Sequence, residues 1–69
     1  MTPNLQLTPR ERDVIRGIVE GRTNAEIAHE LGVGVQAVKN LLSIIYQKCH
    51  VRNRLQLAMF ALHHNILPR

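Results

Sequence analysis

Aromatic side chains are almost missing from this 69-residue chain: Tyr46 and Phe60 are present, and there is no Trp. There is one cysteine, Cys49, so no internal disulfide staples the fold and no cysteine pair offers a zinc site. A lone thiol fits a reducing cytosol, where it is most often a small buried hydrophobe. No apolar run reaches the roughly 18–20 residues that a membrane span needs. The stretch Met1–Arg10 lacks the charged start and apolar core of a secretory signal. There is no repeat, no low-complexity tract, no Pro/Gly/Ser linker, and no run with the alternation of a strand. A chain this short forms one domain, residues 1–69, and buries only about 60% of the surface that its unfolded form exposes. Its hydrophobic fraction of 45% suffices for a core and excludes disorder.

The second absence is local. All five acids lie between Glu11 and Glu30, and from Leu31 onward there is none. Four basic residues accompany the acids, a balance of minus one over residues 1–30; Lys39, Lys48, Arg52, Arg54 and Arg69 leave the remainder at plus five. A basic half of this kind suits an anionic partner, nucleic acid or a membrane surface, with an ordinary solvated surface as the alternative.

What is present is helical punctuation, which makes the fold class all-α, with four helices at about 8–20, 24–31, 35–49 and 53–64. Thr8, Pro9 and Glu11 form a cap, a first-turn proline and the acid of a capping box, ahead of the single stripe Val14, Ile15, Ile18 and Val19. Gly21 ends that helix. Thr23 or Asn24 caps the second, whose inner face is Ile27, Ala28 and Leu31. At about eight residues it needs its neighbours to be stable. Gly32-Val33-Gly34 turns the chain into the third helix. A short helix, a Gly-containing turn and a longer helix have the layout of a helix-turn-helix, although any αα-hairpin of a small bundle shares it. Asn53 caps the fourth helix, and Asn65 and Pro68 end it. Glu11, Arg12 and Arg16 are expected to pair along the first helix, worth a few tenths of a kcal/mol.

Successive positions 100° apart put Val38, Leu41, Leu42, Ile45 and Cys49 on one side of the third helix. Gln36, Lys39, Asn40, Ser43 and Gln47 fall on the other. These polar side chains suit base edges in a major groove: Asn and Gln for adenine, Lys for guanine, Ser for either. A solvated helix face usually mixes Glu with Lys, and this helix has no acid at all. Ile44 lies at the edge, against a thymine methyl or as a half-buried flank. Phosphate contacts are expected from Lys48, Arg52 and Arg54 beyond that helix, and from Arg22, Thr23 and Asn24 at the start of the second, whose free amides can receive a phosphate.

The fourth helix is apolar nearly all round. Leu57, Ala58 and Ala61 share an inward face, which leaves Leu55, Met59, Phe60, Leu62 and His63 as a partner surface, by default that of a symmetric homodimer. His29, His50, His63 and His64 have no ligand spacing and are read as surface residues, so no metal and no cofactor are expected. His63 and His64, being adjacent on a helix, are expected to point apart. No Ser-His-Asp or Cys-His constellation is readable, and no enzyme activity is expected.

The motifs resemble those of the LuxR/GerE-type helix-turn-helix family. Leu7-Thr8-Pro9-Arg10-Glu11-Arg12-Asp13-Val14-Ile15 is similar to its L-T-x-R-E-x-x-V-L opening, and Gly21-Arg22-Thr23-Asn24-Ala25-Glu26-Ile27-Ala28 to its G-x-[ST]-N-x-E-I-A. Val38-Lys39, Ile45, Lys48, Val51 and Arg54 match the spacing of V-K…I-x-x-K-L-x-V-x-x-R, so the likeness covers about residues 7–62 in several ordered blocks. It implies a tetrahelical DNA-binding domain of a bacterial transcription regulator, with the third helix in the major groove and the fourth in a dimer interface. It also implies base-facing positions at Lys39, Asn40 and Ser43, backbone-facing ones at Asn24 and Lys48, and a cytoplasmic, nucleoid-associated setting. Gly34 replaces the usual Ser or Thr cap and Ala37 a hydroxyl that often reaches phosphate; Leu41, Cys49 and Leu57 also depart from the pattern.

The resulting expectation is a sequence-specific regulator, stand-alone or the excised effector of a longer chain with its own regulatory domain. It would bind double-stranded inverted-repeat DNA as a homodimer. The alternative is an interaction module that keeps the fold and modulates another regulator through its fourth helix.

Overall fold

The computed structural model describes residues 6–66, which form four helices and no strand: α1 (Pro9–Val19), α2 (Asn24–Leu31), α3 (Val35–Cys49) and α4 (Arg54–His63). Each helix starts where the local chemistry supplies an acceptor for its first free N–H groups, with one exception. Thr8 and Glu11 close a reciprocal capping box on α1, and Thr23 and Glu26 close a second on α2. Asn53 accepts from the Gln56 amide at the start of α4. The exception is α3, which begins at Gly34 with no side-chain cap.

All four helices end in the same way. Gly21, Gly32, His50 and Asn65 take positive φ, and the amide that follows each bonds five residues back: Arg22 to Gly17, Val33 to Ala28, Val51 to Tyr46 and Ile66 to Ala61. The left-handed step is free of penalty for glycine and costs roughly 1–2 kcal/mol for a side chain such as that of His50. The chain accepts that cost at the end of its longest helix, where a tight turn returns α4 to the core.

The core is drawn from every helix: Val14 and Ile15 of α1, Ile27 of α2, Val38 and Ile45 of α3, and Leu57 of α4 are fully buried. Burying a side chain of this size contributes about 1.5–3 kcal/mol, and the four helices share one cluster. α1 packs against both α3 and α4, and α2 packs against α3. Leu57 is fully accommodated at the centre. No described helix is long and apolar enough to cross a membrane.

Two arginines act as remote caps on backbone carbonyls. Arg10 donates to the Leu31 carbonyl at the end of α2 (3.1 Å), and Arg12 donates to the Ile66 carbonyl after α4 (2.7 Å). Arg12 therefore does not pair along α1, and Glu11 does not either. Glu11 is 3% exposed and is claimed by a residue of α3, described below. Intrahelical pairing was the reading from spacing alone, and tertiary partners outcompete it because they reach a buried carboxylate and two otherwise unmatched carbonyls.

α2 approaches α1 at Gly17. A Cβ there would lie 2.6 Å from Ile27 Cγ1 and 2.9 Å from Cδ1, and Ile27 is 2% exposed. Gly17→Ala should therefore strain the core by about 1–3 kcal/mol, which outweighs the ~1 kcal/mol that Ala returns in helix propensity. The urea midpoint should fall. An unchanged or higher midpoint would show that Ile27 can move aside.

Candidate nucleic-acid interface

The polar side of α3 is open. Gln36, Lys39, Asn40, Ser43 and Gln47 are all exposed, while Val38, Leu42, Ile45 and Cys49 on the opposite side are buried. From Gln36 to Gln47 the exposed row runs about 16 Å along the helix axis, with no carboxylate on the helix. Gln36 and Asn40 are joined by a side-chain hydrogen bond of 3.0 Å. Val35 and Ile44, at 40% and 45% exposure, add apolar surface on its flanks.

The basic and polar residues around this face have different fates. Arg22 bonds Glu20 at 3.1 Å and also Glu30; the Glu20 hydrogen bond first, then the charge of Glu30, holds its guanidinium more firmly protonated than usual. The Thr23 hydroxyl is the α2 cap. Asn24 Oδ1 accepts from Arg54 Nη1 at 2.8 Å, and Arg54 Nη2 also donates to the Arg22 carbonyl. Arg54 thus fastens the start of α4 to the start of α2. Arg52 is exposed; its backbone N–H donates to Gln56 Oε1, and no described residue bonds its guanidinium.

Lys48 is the most committed of the set. Its ammonium donates to the Gln6 carbonyl at 2.9 Å and to the two Glu11 oxygens at 2.9 and 3.1 Å, which takes up all three of its N–H groups. Burial by itself would raise the Glu11 carboxyl. The Lys48 hydrogen bond, the Thr8 backbone amide and the Lys48 charge outweigh it and hold the carboxyl below its ordinary range. The sequence contained a signal for this pair: Glu11 stands three, four and seven residues before Val14, Ile15 and Ile18, on the buried stripe itself.

On α4, Leu55, Met59 and Leu62 are 69%, 62% and 66% exposed and lie at i, i+4 and i+7, so they form one apolar stripe. Leu57 and Ala61 face inward. Phe60 is half-buried, with its ring 4.3 Å from that of His64. His63 is exposed and meets His64 edge-on at 5.0 Å. The two histidines converge because His64 has left helical geometry, with φ −94° and ψ 4°. Among the described residues no group of three His, Cys, Asp or Glu could hold a metal ion.

Known proteins share this four-helix fold. The model of the family described as bacterial regulatory proteins, luxR family, matches residues 5–61. The probable transcriptional regulator ycf29 of Porphyra purpurea is 36% identical over 65 residues, 94% of this chain and 31% of that protein. The transcriptional regulatory protein LiaR of Bacillus subtilis is 40% identical over 65 residues, again 94% of this chain and 30% of the relative. The solved structure of the transcription factor GerE superposes with a TM-score of 0.82 at 29% identity, covering 90% of this chain and 92% of that one. The chain thus spans about a third of the length of the two curated relatives.

Removing Lys48 should leave a buried carboxylate without its counter-charge. Lys48→Met is expected to cost about 3 kcal/mol at neutral pH. Glu11 titrates below the ordinary 4.5 in the folded chain, so the stability it contributes is complete above that value and is lost as pH falls through the folded pKa. In the variant, burial is opposed by the Thr8 hydrogen bonds alone, so the Glu11 pKa lies above its wild-type value. The gap between wild type and variant should therefore close in acid, read as urea midpoints at about pH 7 and pH 3. A gap that stays constant would mean the ion pair is not its source.

Proposed function

Because this chain belongs to the luxR family of bacterial regulatory proteins and carries that family's helix-turn-helix domain, we propose that it reads promoter DNA as a homodimer on inverted repeats. α3 lies in the major groove, with Gln36, Lys39, Asn40, Ser43 and Gln47 toward base edges. The observation that carries this reading is the open, acid-free side of α3. Arg52 contacts a phosphate with its own charge. Thr23 and Asn24 present the start of α2 to the backbone, with Arg22 and Arg54 holding that start in shape. Lys48 contributes chiefly by fixing α3, because its ammonium is already bonded.

Two copies meet through α4. Leu55, Met59 and Leu62 form the centre, with Phe60 and His63 beside them, a self-complementary patch of the kind a two-fold interface needs. The pairing sets two α3 helices about 34 Å apart, one turn of duplex. In a full-length protein of the relatives' size, a further domain outside this chain sets when the pair forms or binds.

Random-oligonucleotide selection with the purified chain tests site, sequence and half-site spacing together. Lys39→Ala should weaken binding to the selected site by about 1–3 kcal/mol and relax one base position; equal losses on selected and random DNA would remove Lys39 as a reader. Failure to shift any DNA even at low salt, where basic domains bind without sequence preference, would leave the fold serving protein contacts alone.

Met59→Glu places a charge on an exposed position, so the helical spectrum should persist while sedimentation moves from dimer to monomer and binding to the paired site loses its cooperativity. A dimer that survives the substitution would place the interface elsewhere.

A further inference from the structure

The first residue of α2 is an asparagine whose amide has one way to sit. Asn24 Oδ1 accepts from Arg54 Nη1 at 2.8 Å, and Arg54 Nη2 donates to the Arg22 carbonyl. A guanidinium has donors and no acceptor. Turning the Asn24 amide over would set its NH2 group against an N–H group and lose the bond, and no turn of the guanidinium could restore it. Arg54 and Asn24 are both half-buried, where a hydrogen bond is stronger than in open water. The Asn24 oxygen is thus held on Arg54, and the NH2 group is the end left over. Among the described residues nothing bonds Nδ2.

The backbone around Asn24 has its own support. Thr23 and Glu26 close a capping box across the same turn, so what Arg54 adds is the direction of one side-chain donor. A phosphate oxygen accepts hydrogen bonds and donates none, so Asn24 can meet a phosphate only through Nδ2. A guanidinium bonded to the amide oxygen also polarises that NH2 group into a stronger donor. We propose that Arg54 is a positioning residue: by holding the Asn24 oxygen, it presents Asn24 Nδ2, already oriented, to a phosphate of the DNA backbone. This role rests on the DNA-reading function proposed above. It assigns the Asn24 contact to one atom, and the readiness of that atom to a residue of α4.

The test is a double-mutant cycle of Asn24→Ala and Arg54→Met, titrated against a duplex carrying the selected site and against a random duplex. A phosphate contact carries no base information, so Asn24→Ala should weaken binding to both duplexes equally, about tenfold. Its donor is neutral, so the dependence of affinity on salt should keep its wild-type slope. With Arg54→Met the amide is free and the DNA itself must order it, so removing Asn24 should then cost only about twofold. The charge lost with Arg54 is common to both arms of that comparison and drops out. The nuclear Overhauser contact between the Glu26 amide and the Thr23 side chain, which are hydrogen-bonded, should persist in Arg54→Met. The same loss in both backgrounds overturns the proposal, because Asn24 then acts without Arg54. An Asn24→Ala chain that binds both duplexes as wild type does so too. If Arg54→Met abolishes the Glu26–Thr23 contact, Arg54 is a strap on the helix start and the proposal falls. A wild-type chain that shifts neither duplex, even at low salt, overturns the DNA-reading function along with it, so the two failures are distinct.

Discussion

A single buried carboxylate organises this fold. Glu11 accepts from the Thr8 amide at the start of α1 and from Lys48 in the last turn of α3, and Lys48 also donates to the Gln6 carbonyl. Two pieces of chain that the sequence keeps far apart, residues 6–11 and the last turn of α3, are thereby gathered at one point. A charge at 3% exposure is tolerable only while its partners stay in place, so the pair holds the end of α3 against the start of α1. The pair's net contribution to stability is modest; its effect on geometry is large, because the alternative is an unpaired charge in the core.

The same economy governs the other cations. A charge count suggests a basic half ready to meet phosphate. In three dimensions Lys48 is neutralised by Glu11 and Arg22 by Glu20 and Glu30. Arg54 remains charged while serving as a strap between α4 and α2. Among the described residues of the basic half, Lys39 and Arg52 are exposed cations whose side chains make no bond. The electrostatic attraction of this domain for a polyanion is therefore concentrated on a small number of side chains. Its polar amides and hydroxyls carry a correspondingly larger share of any recognition.

Helix limits and faces were legible because they rest on relations three or four residues apart. The Thr8 cap and its Glu11 partner, the Asn53 cap and the two sides of α3 are all visible in the order of residues. The second capping box, Thr23 with Glu26, has the same three-residue spacing as the first and was legible in the same way. The end of α3 was less visible: His50 takes the left-handed position without the glycine or asparagine found at the other helix ends, and nothing in a histidine announces that role.

The sequence by itself determined that four short helices form, which stripe of the first three is apolar, and that α3 turns an acid-free row of polar side chains away from its neighbours. Periodicity and capping are local physics, and they do not depend on knowing what lies across the core. Only the tertiary structure decided which partner each charged side chain takes. Glu11 meets Lys48 across 37 residues, Arg54 meets Asn24 across 30, and Arg12 meets Ile66 across 54. Such choices are set by distance and burial after the helices have packed: a cation goes to the acceptor that is hardest to leave unsatisfied, and no spacing rule along the chain says which cation will reach it.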